Sequence, residues 1–250
     1  LWKGDNLDIP KITVPEKSGK DHIMDLVVGV AAGIPVVGGP ISVGIDKHVP
    51  TQYKKKIEVW MHQVTEAINW LVEQVGKERD SLYEDEKFLA IVYKCSREAI
   101  MEYRPEKIVV FRNIIMNSVI MTDIDEDLQF YFLKCVDSMT IAQMRMLQFF
   151  NNPEKVWLTV FQDLPNYTQT SRLTVFSDFY PEYKNEKTYL SSAMKDLINM
   201  GLIQNTEPNI TVSGHGACQK MTTDLGDKLI EFVTTPDKYD ECEREHNGAK

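Results

Sequence analysis

The chain has 250 residues, 43% hydrophobic and 26% charged, with a formal net charge of −9 and a pI of about 5.1. This is globular usage with room for one or two domains and a well-formed core, and the acidic balance argues against a broad basic surface for duplex DNA. Four scattered cysteines, Cys95, Cys135, Cys218 and Cys242, form no CxxC pair and point to free thiols in a reduced compartment.

Residues 1–22 mix charges with Pro10 and Pro15 and hold no sustained period, which predicts an extended leader. The next segment, 23–50, contains Leu26 to Ile45, twenty residues without a charge. At about 1.5 Å per residue a helix of that length matches a hydrocarbon core of about 30 Å. Pro35, Gly38, Gly39 and Pro40 interrupt it, so a hairpin or a re-formable helix is expected over a fixed anchor. Gly29 and Gly33 form a GxxxG stripe that lets helices approach closely in lipid, and the same glycines serve a buried hairpin in a soluble fold. Both readings, membrane or oligomer segment and buried hairpin, stand at this point. Lys47 and Lys54 to Lys56 follow the run and place the large C-terminal part on the cytoplasmic side if it spans. The run starts late and lacks a basic leader, so no secretory signal is expected; the expected location is the cytoplasm, with inner-membrane association.

From Gln52 to Val75, Ile57, Met61, Val64, Ile68, Leu71 and Val75 fall at steps of three and four, the seam of a bundle helix that Gly76 ends. Asp85 to Tyr103 predicts a second helix with Phe88, Ile91, Val92, Cys95 and Ala99 inward, broken at Arg104-Pro105. A third, Glu106 to Met121, turns Ile108, Phe111, Ile114, Ile115, Ser118 and Val119 to one side. The acids Asp123, Asp125, Glu126 and Asp127 lack the spacing and central glycine of a calcium loop and read as the start of a fourth helix. Together 51–138 predicts a helical bundle domain.

The stretch 139–235 changes rhythm. A helix is expected at Met139 to Phe150, irregular chain with a short helix at Arg172 to Phe179, a strong helix at Asn185 to Met200 capped by Gly201, and a last one at Asp224 to Val233. Between the last two lie a strand-like IleThrValSer and a glycine pair around His215. AMKDLINMGLIQ followed by MTTDLGDKLIEFV resembles a winged helix with its wing tip at Gly214 to Gly216, and winged helices serve DNA binding, protein docking and oligomerisation alike. The expected fold class is therefore mainly α: a helical bundle followed by a winged-helix-like α+β domain. The candidate recognition helix offers Lys187, Ser191, Ser192 and Lys195 for a nucleic acid or partner, but Asp196 lies beside them and no arginine is present. Phosphate contacts and base readout both want more cations than that, so duplex DNA is the less favoured partner. The tail, 236–250, is charged.

The chain as a whole resembles a group of bacterial proteins that begin with an IPxxGGxxS apolar segment and end in a helical and a winged-helix-like module. The residues carrying this are Ile34, Pro35, Gly38, Gly39 and Ser42, then Asp46 and Pro50. The group includes proteins similar to the ion-channel effector of Hailong-type anti-phage defence. The resemblance implies a homo-oligomeric membrane effector held closed by a single-stranded nucleic-acid or nucleotide signal. No GxxxxGK[ST], HExxH or clustered Cys/His set is present. The expectation is a non-enzymatic protein without cofactor or metal; a soluble winged-helix regulator of DNA or a protein is the rival.

Overall fold

A stripe of apolar residues at helical spacing needs a partner to cover it, and the fold supplies one for each predicted seam. The computed structural model describes residues 51–236. The leader, the apolar segment with Leu26, Gly29, Gly33, Pro35, Gly38, Gly39, Pro40 and Ile45, and the tail beyond Pro236 lie outside the described residues. Within them the chain is mainly helical, with eleven α-helices and one two-stranded sheet.

Two compact units divide it, one made of 51–133 with 232–236 and the other of 134–231. In the first, α1 (Thr51–Glu73) is followed by α2 (Arg79–Glu84), α3 (Glu86–Met101), α4 (Pro105–Ile120) and α5 (Glu126–Ser138), the last crossing into the second unit. Gly76 takes a φ of +72°, the left-handed conformation that ends α1. Asp85 caps α3 by accepting the N–H groups of Lys87 and Phe88, and Pro105 opens α4, where its missing N–H costs nothing. Asp125 accepts the Leu128 N–H at 2.8 Å, so the acidic cluster caps α5. Helix α4 packs on both α1 and α3, and every residue from Val110 to Asn117 is buried. Trp60, Leu71, Phe88, Ile91, Phe111 and Ile114 fill this core.

The second unit begins with the end of α5 and continues through α6 (Ile141–Asn151), α7 (Pro153–Leu158), β1 (Gln169–Ser171), α8 (Arg172–Phe179), a 3-10 turn at Pro181–Tyr183, α9 (Lys187–Asn199), β2 (Thr211–Ser213), α10 (Gly214–Ala217) and α11 (Asp224–Val233). Helix α6 packs on α7 and α9, with Phe149, Phe150 and Phe176 fully buried among edge-on and tilted rings. Strands β1 and β2 pair antiparallel, Thr170 opposite Val212, and Ile203 bridges Thr222. Gly201, with φ +71°, stops α9 as its sequence position predicts.

One sequence expectation is corrected here. Gly214 to Gly216, expected at a wing tip, begin the one-turn helix α10, whose cap Ser213 accepts the Gly216 N–H at 3.1 Å. The reason is close approach. A Cβ at Gly214 would lie 2.0 Å from the Tyr167 carbonyl oxygen, so glycine is required for packing against β1's leading chain rather than for an exposed turn.

Candidate functional site

Helix α9 is amphipathic by construction. Leu190, Ala193, Met194 and Leu197 are buried, while Lys187, Ser192 and Lys195 are exposed and Ser191 is half-buried. Lys187, Ser191 and Lys195 recur every four residues and form one outward line, about 12 Å from end to end at helical rise. The Asn209 amide donates to Ser191 Oγ at 2.9 Å, bringing the chain before β2 against this line.

Asp196, the acid that weakened the anion-binding reading, is occupied. Its carboxylate accepts from Gln143 Nε2 at 2.9 Å. Gln143 is itself fixed by the capping box that starts α6, its side chain accepting the Thr140 N–H at 2.8 Å while Thr140 Oγ1 accepts the Gln143 N–H at 3.2 Å. Tyr189 adds a hydroxyl bond to Thr140 at 3.0 Å. The start of α6 thus pins α9 and engages its acid, which remains an exposed carboxylate beside the Lys195 ammonium. Two exposed lysines without an arginine fork offer little for reading base edges.

His215, Cys218 and Glu154 approach one another in the same unit. His215 Nδ1 lies 3.8 Å from Glu154 Oε1, and both side chains are well exposed. Burial, reinforced by Glu154, pushes the Cys218 thiol up, which disfavours the thiolate a nucleophile needs. Burial and the nearby Glu98 push the Cys95 thiol up as well. Burial and a hydrogen bond to Asp178 raise the Tyr167 phenol. Among the described residues no three metal-ligating side chains come together.

Two polar clusters of the first unit escaped the sequence reading. On α4, Arg112, Asn113 and Asn117 are buried beside the predicted apolar residues Phe111, Ile114 and Ile115. Arg112 reaches Gln63 on α1 at 3.3 Å, and the two asparagine amides donate to main-chain carbonyls at the end of α11. Asparagines four apart inside an apolar helix were the available signal. At the α3–α4 turn, Glu102 gathers the Tyr103 and Arg104 N–H groups, the Arg104 guanidinium and the Lys107 ammonium. Partial burial alone would raise the Glu102 carboxyl, but the Arg104 guanidinium and the Tyr103 and Arg104 N–H groups outweigh it and bring it down to about 2.

Neither a protein-family model, nor a curated protein, nor a solved structure matches this chain.

Proposed function

We propose that the chain is a non-enzymatic, homo-oligomeric bacterial effector that acts on a membrane as a pore or channel, of the anti-phage kind it resembles. Its helical units hold a ligand or partner that controls it. The observation supporting this reading is a contrast within one sequence. Leu26 to Ile45 carries no charge over a bilayer's length, whereas no helix among the described residues is long and apolar enough to cross a membrane. Any crossing by a helix of this chain then falls to that segment rather than to the described helices. The test is dye release from vesicles of mixed zwitterionic and anionic lipid by the full chain, alone and with single-stranded oligonucleotides or nucleotides. Release that Val36→Lys abolishes supports the reading, because a lysine at the centre of a span costs about 2.5–3.5 kcal/mol on insertion scales. Intact vesicles under every condition sink it.

A second reading, a winged-helix-like regulator that docks nucleic acid or a protein, is supported by the order α6–α7–β1–α8–α9 and by the outward line Lys187, Ser191, Lys195. It differs in requiring no vesicle activity and in depending on α9. Binding to an oligonucleotide or a captured partner that is indifferent to Lys187→Glu with Lys195→Glu removes it.

A further inference from the structure

At the end of α7 the chain from Trp157 to Asp163 closes on itself. Trp157 Nε1 donates to the Asp163 carbonyl at 3.0 Å, and the Val160 and Phe161 N–H groups donate to the Trp157 carbonyl at 3.1 Å and 3.0 Å. Thr159 spends its hydroxyl on the Val156 carbonyl at 2.7 Å. Trp157 is buried, with its ring centre 4.8 Å from that of Phe161 and 5.8 Å from that of Phe179, so the loop folds over an aromatic floor. Above that floor it shows apolar side chains to water: Leu158 is 50% exposed, Val160 60%, and Phe161 and Leu164 41% each. Scattered singly, such residues need no explanation. Gathered on one pinned loop they make a patch whose ordering cost is already met.

The charges at the patch say what covers it. Lys155 is exposed on α7 one turn before Leu158, and Asp163 is exposed between Phe161 and Leu164 in the chain. Neither the Lys155 ammonium nor the Asp163 carboxylate is in an ion pair among the described residues. A loop that enters a bilayer is flanked by lysine and arginine, and an acid among its inserting side chains is repelled by anionic lipid. A patch with one charge of each sign is instead complementary to itself. Under a two-fold axis, residue i of one chain meets residue j of the other and j meets i, so Lys155 meets Asp163 twice around an apolar centre.

We propose that this loop is an interface between two copies of the chain related by a two-fold axis. Leu158, Val160, Phe161 and Leu164 pack on their counterparts, and Lys155 of each chain pairs with Asp163 of the other. This builds on the homo-oligomeric reading and names the surface it uses.

The test is sedimentation equilibrium of the full chain and of three variants at exposed positions: Lys155→Glu, Asp163→Lys, and Leu158→Ser combined with Val160→Ser. Circular dichroism checks that each variant folds. Each is expected to weaken self-association at least about tenfold, the charge reversals because they set like charges opposite one another in both pairings. An equimolar mixture of Lys155→Glu and Asp163→Lys chains is expected to regain most of the lost affinity, since each reversed side chain then meets its opposite. Weakening without recovery in the mixture overturns the two-fold pairing. Self-association untouched by all three variants overturns this surface and leaves the homo-oligomeric reading to another face. A chain that stays monomeric at every concentration removes both. Vesicle binding lost by Leu158→Ser with Val160→Ser, at unchanged mass, overturns the interface in favour of a bilayer as the occupant.

Discussion

Asn117 on α4 and Phe232 at the end of α11, 115 residues apart in sequence, meet through a 2.8 Å bond from the Asn117 amide to the Phe232 carbonyl. The same amide donates to the Thr234 carbonyl at 2.8 Å, and Asn113, one turn earlier, donates to the Val233 carbonyl at 2.9 Å. A helix leaves its last carbonyls without internal partners, and here two side chains of α4 supply them. Phe232, fully buried, has its ring centre 5.7 Å from that of Phe132, so the end of α11 belongs to the first unit.

Asn117→Ala removes both bonds and leaves the buried Phe232 carbonyl without that donor. We expect a loss of about 2–4 kcal/mol in urea unfolding. Asn117→Asp is expected to be at least as damaging at neutral pH, because a carboxylate donates nothing and faces carbonyl oxygens. A loss below about 0.5 kcal/mol for both variants would show that the amide is dispensable.

Glu102 makes stability depend on acid. Its folded carboxyl titrates at about 2, below the ordinary carboxylate range, so its contribution is fully present above that range. The contribution is lost as pH falls from about 4.5 through about 2, because the unfolded state takes the proton first. Glu102→Gln should therefore lower the urea midpoint at pH 7 and have much less effect near pH 2. A parallel deficit at both pH values contradicts the ion-pair assignment.

Gly226, in the first turn of α11, reverses the usual rule for glycine in helices. Alanine is ordinarily better there by about 1 kcal/mol. At this position a Cβ would sit 2.2 Å from the Leu202 carbonyl oxygen and 3.1 Å from its carbon, and backbone cannot swing aside as a side chain does. Gly226→Ala is expected to destabilise by about 1–3 kcal/mol, read as a fall in Tm. An unchanged or higher Tm would mean that α11 shifts freely.

On α9, Lys187→Glu with Lys195→Glu should leave Tm within about 1 °C, since both side chains are exposed. If the helix contacts a polyanion, oligonucleotide affinity should fall and the slope of log K against log salt should flatten by about 1.5–2, one counterion step for each lysine. Fluorescence anisotropy between 50 and 200 mM salt reads both, and an unchanged slope excludes these two contacts.

The helices were legible because burial on one side prints a local period. The seam from Ile57 to Leu71 marks α1, Gly76 and Gly201 mark two helix ends by the backbone freedom they carry, and Arg172 to Phe179 and Asp224 to Val233 coincide with α8 and α11 as drawn. The exposed line Lys187, Ser191, Lys195 was visible for the same reason. Partners distant in sequence were not. Nothing near Asp196 announces Gln143, and nothing near Asn117 announces Phe232, because a hydrogen bond between them depends on two helices being brought together by other residues. Gly214 shows the same limit from the other side. Its sequence fits a turn tip, and only the fold shows that Ser213 caps a helix there and that the Tyr167 carbonyl lies where a Cβ would go. The amino-acid order by itself determined the long helices and most of the faces they bury, but not the short helices α2, α7 and α10 or the burial of α4 on every side from Val110 to Asn117. The tertiary structure decided which polar groups those faces bring together, since that depends on how the helices pack and not on any local repeat.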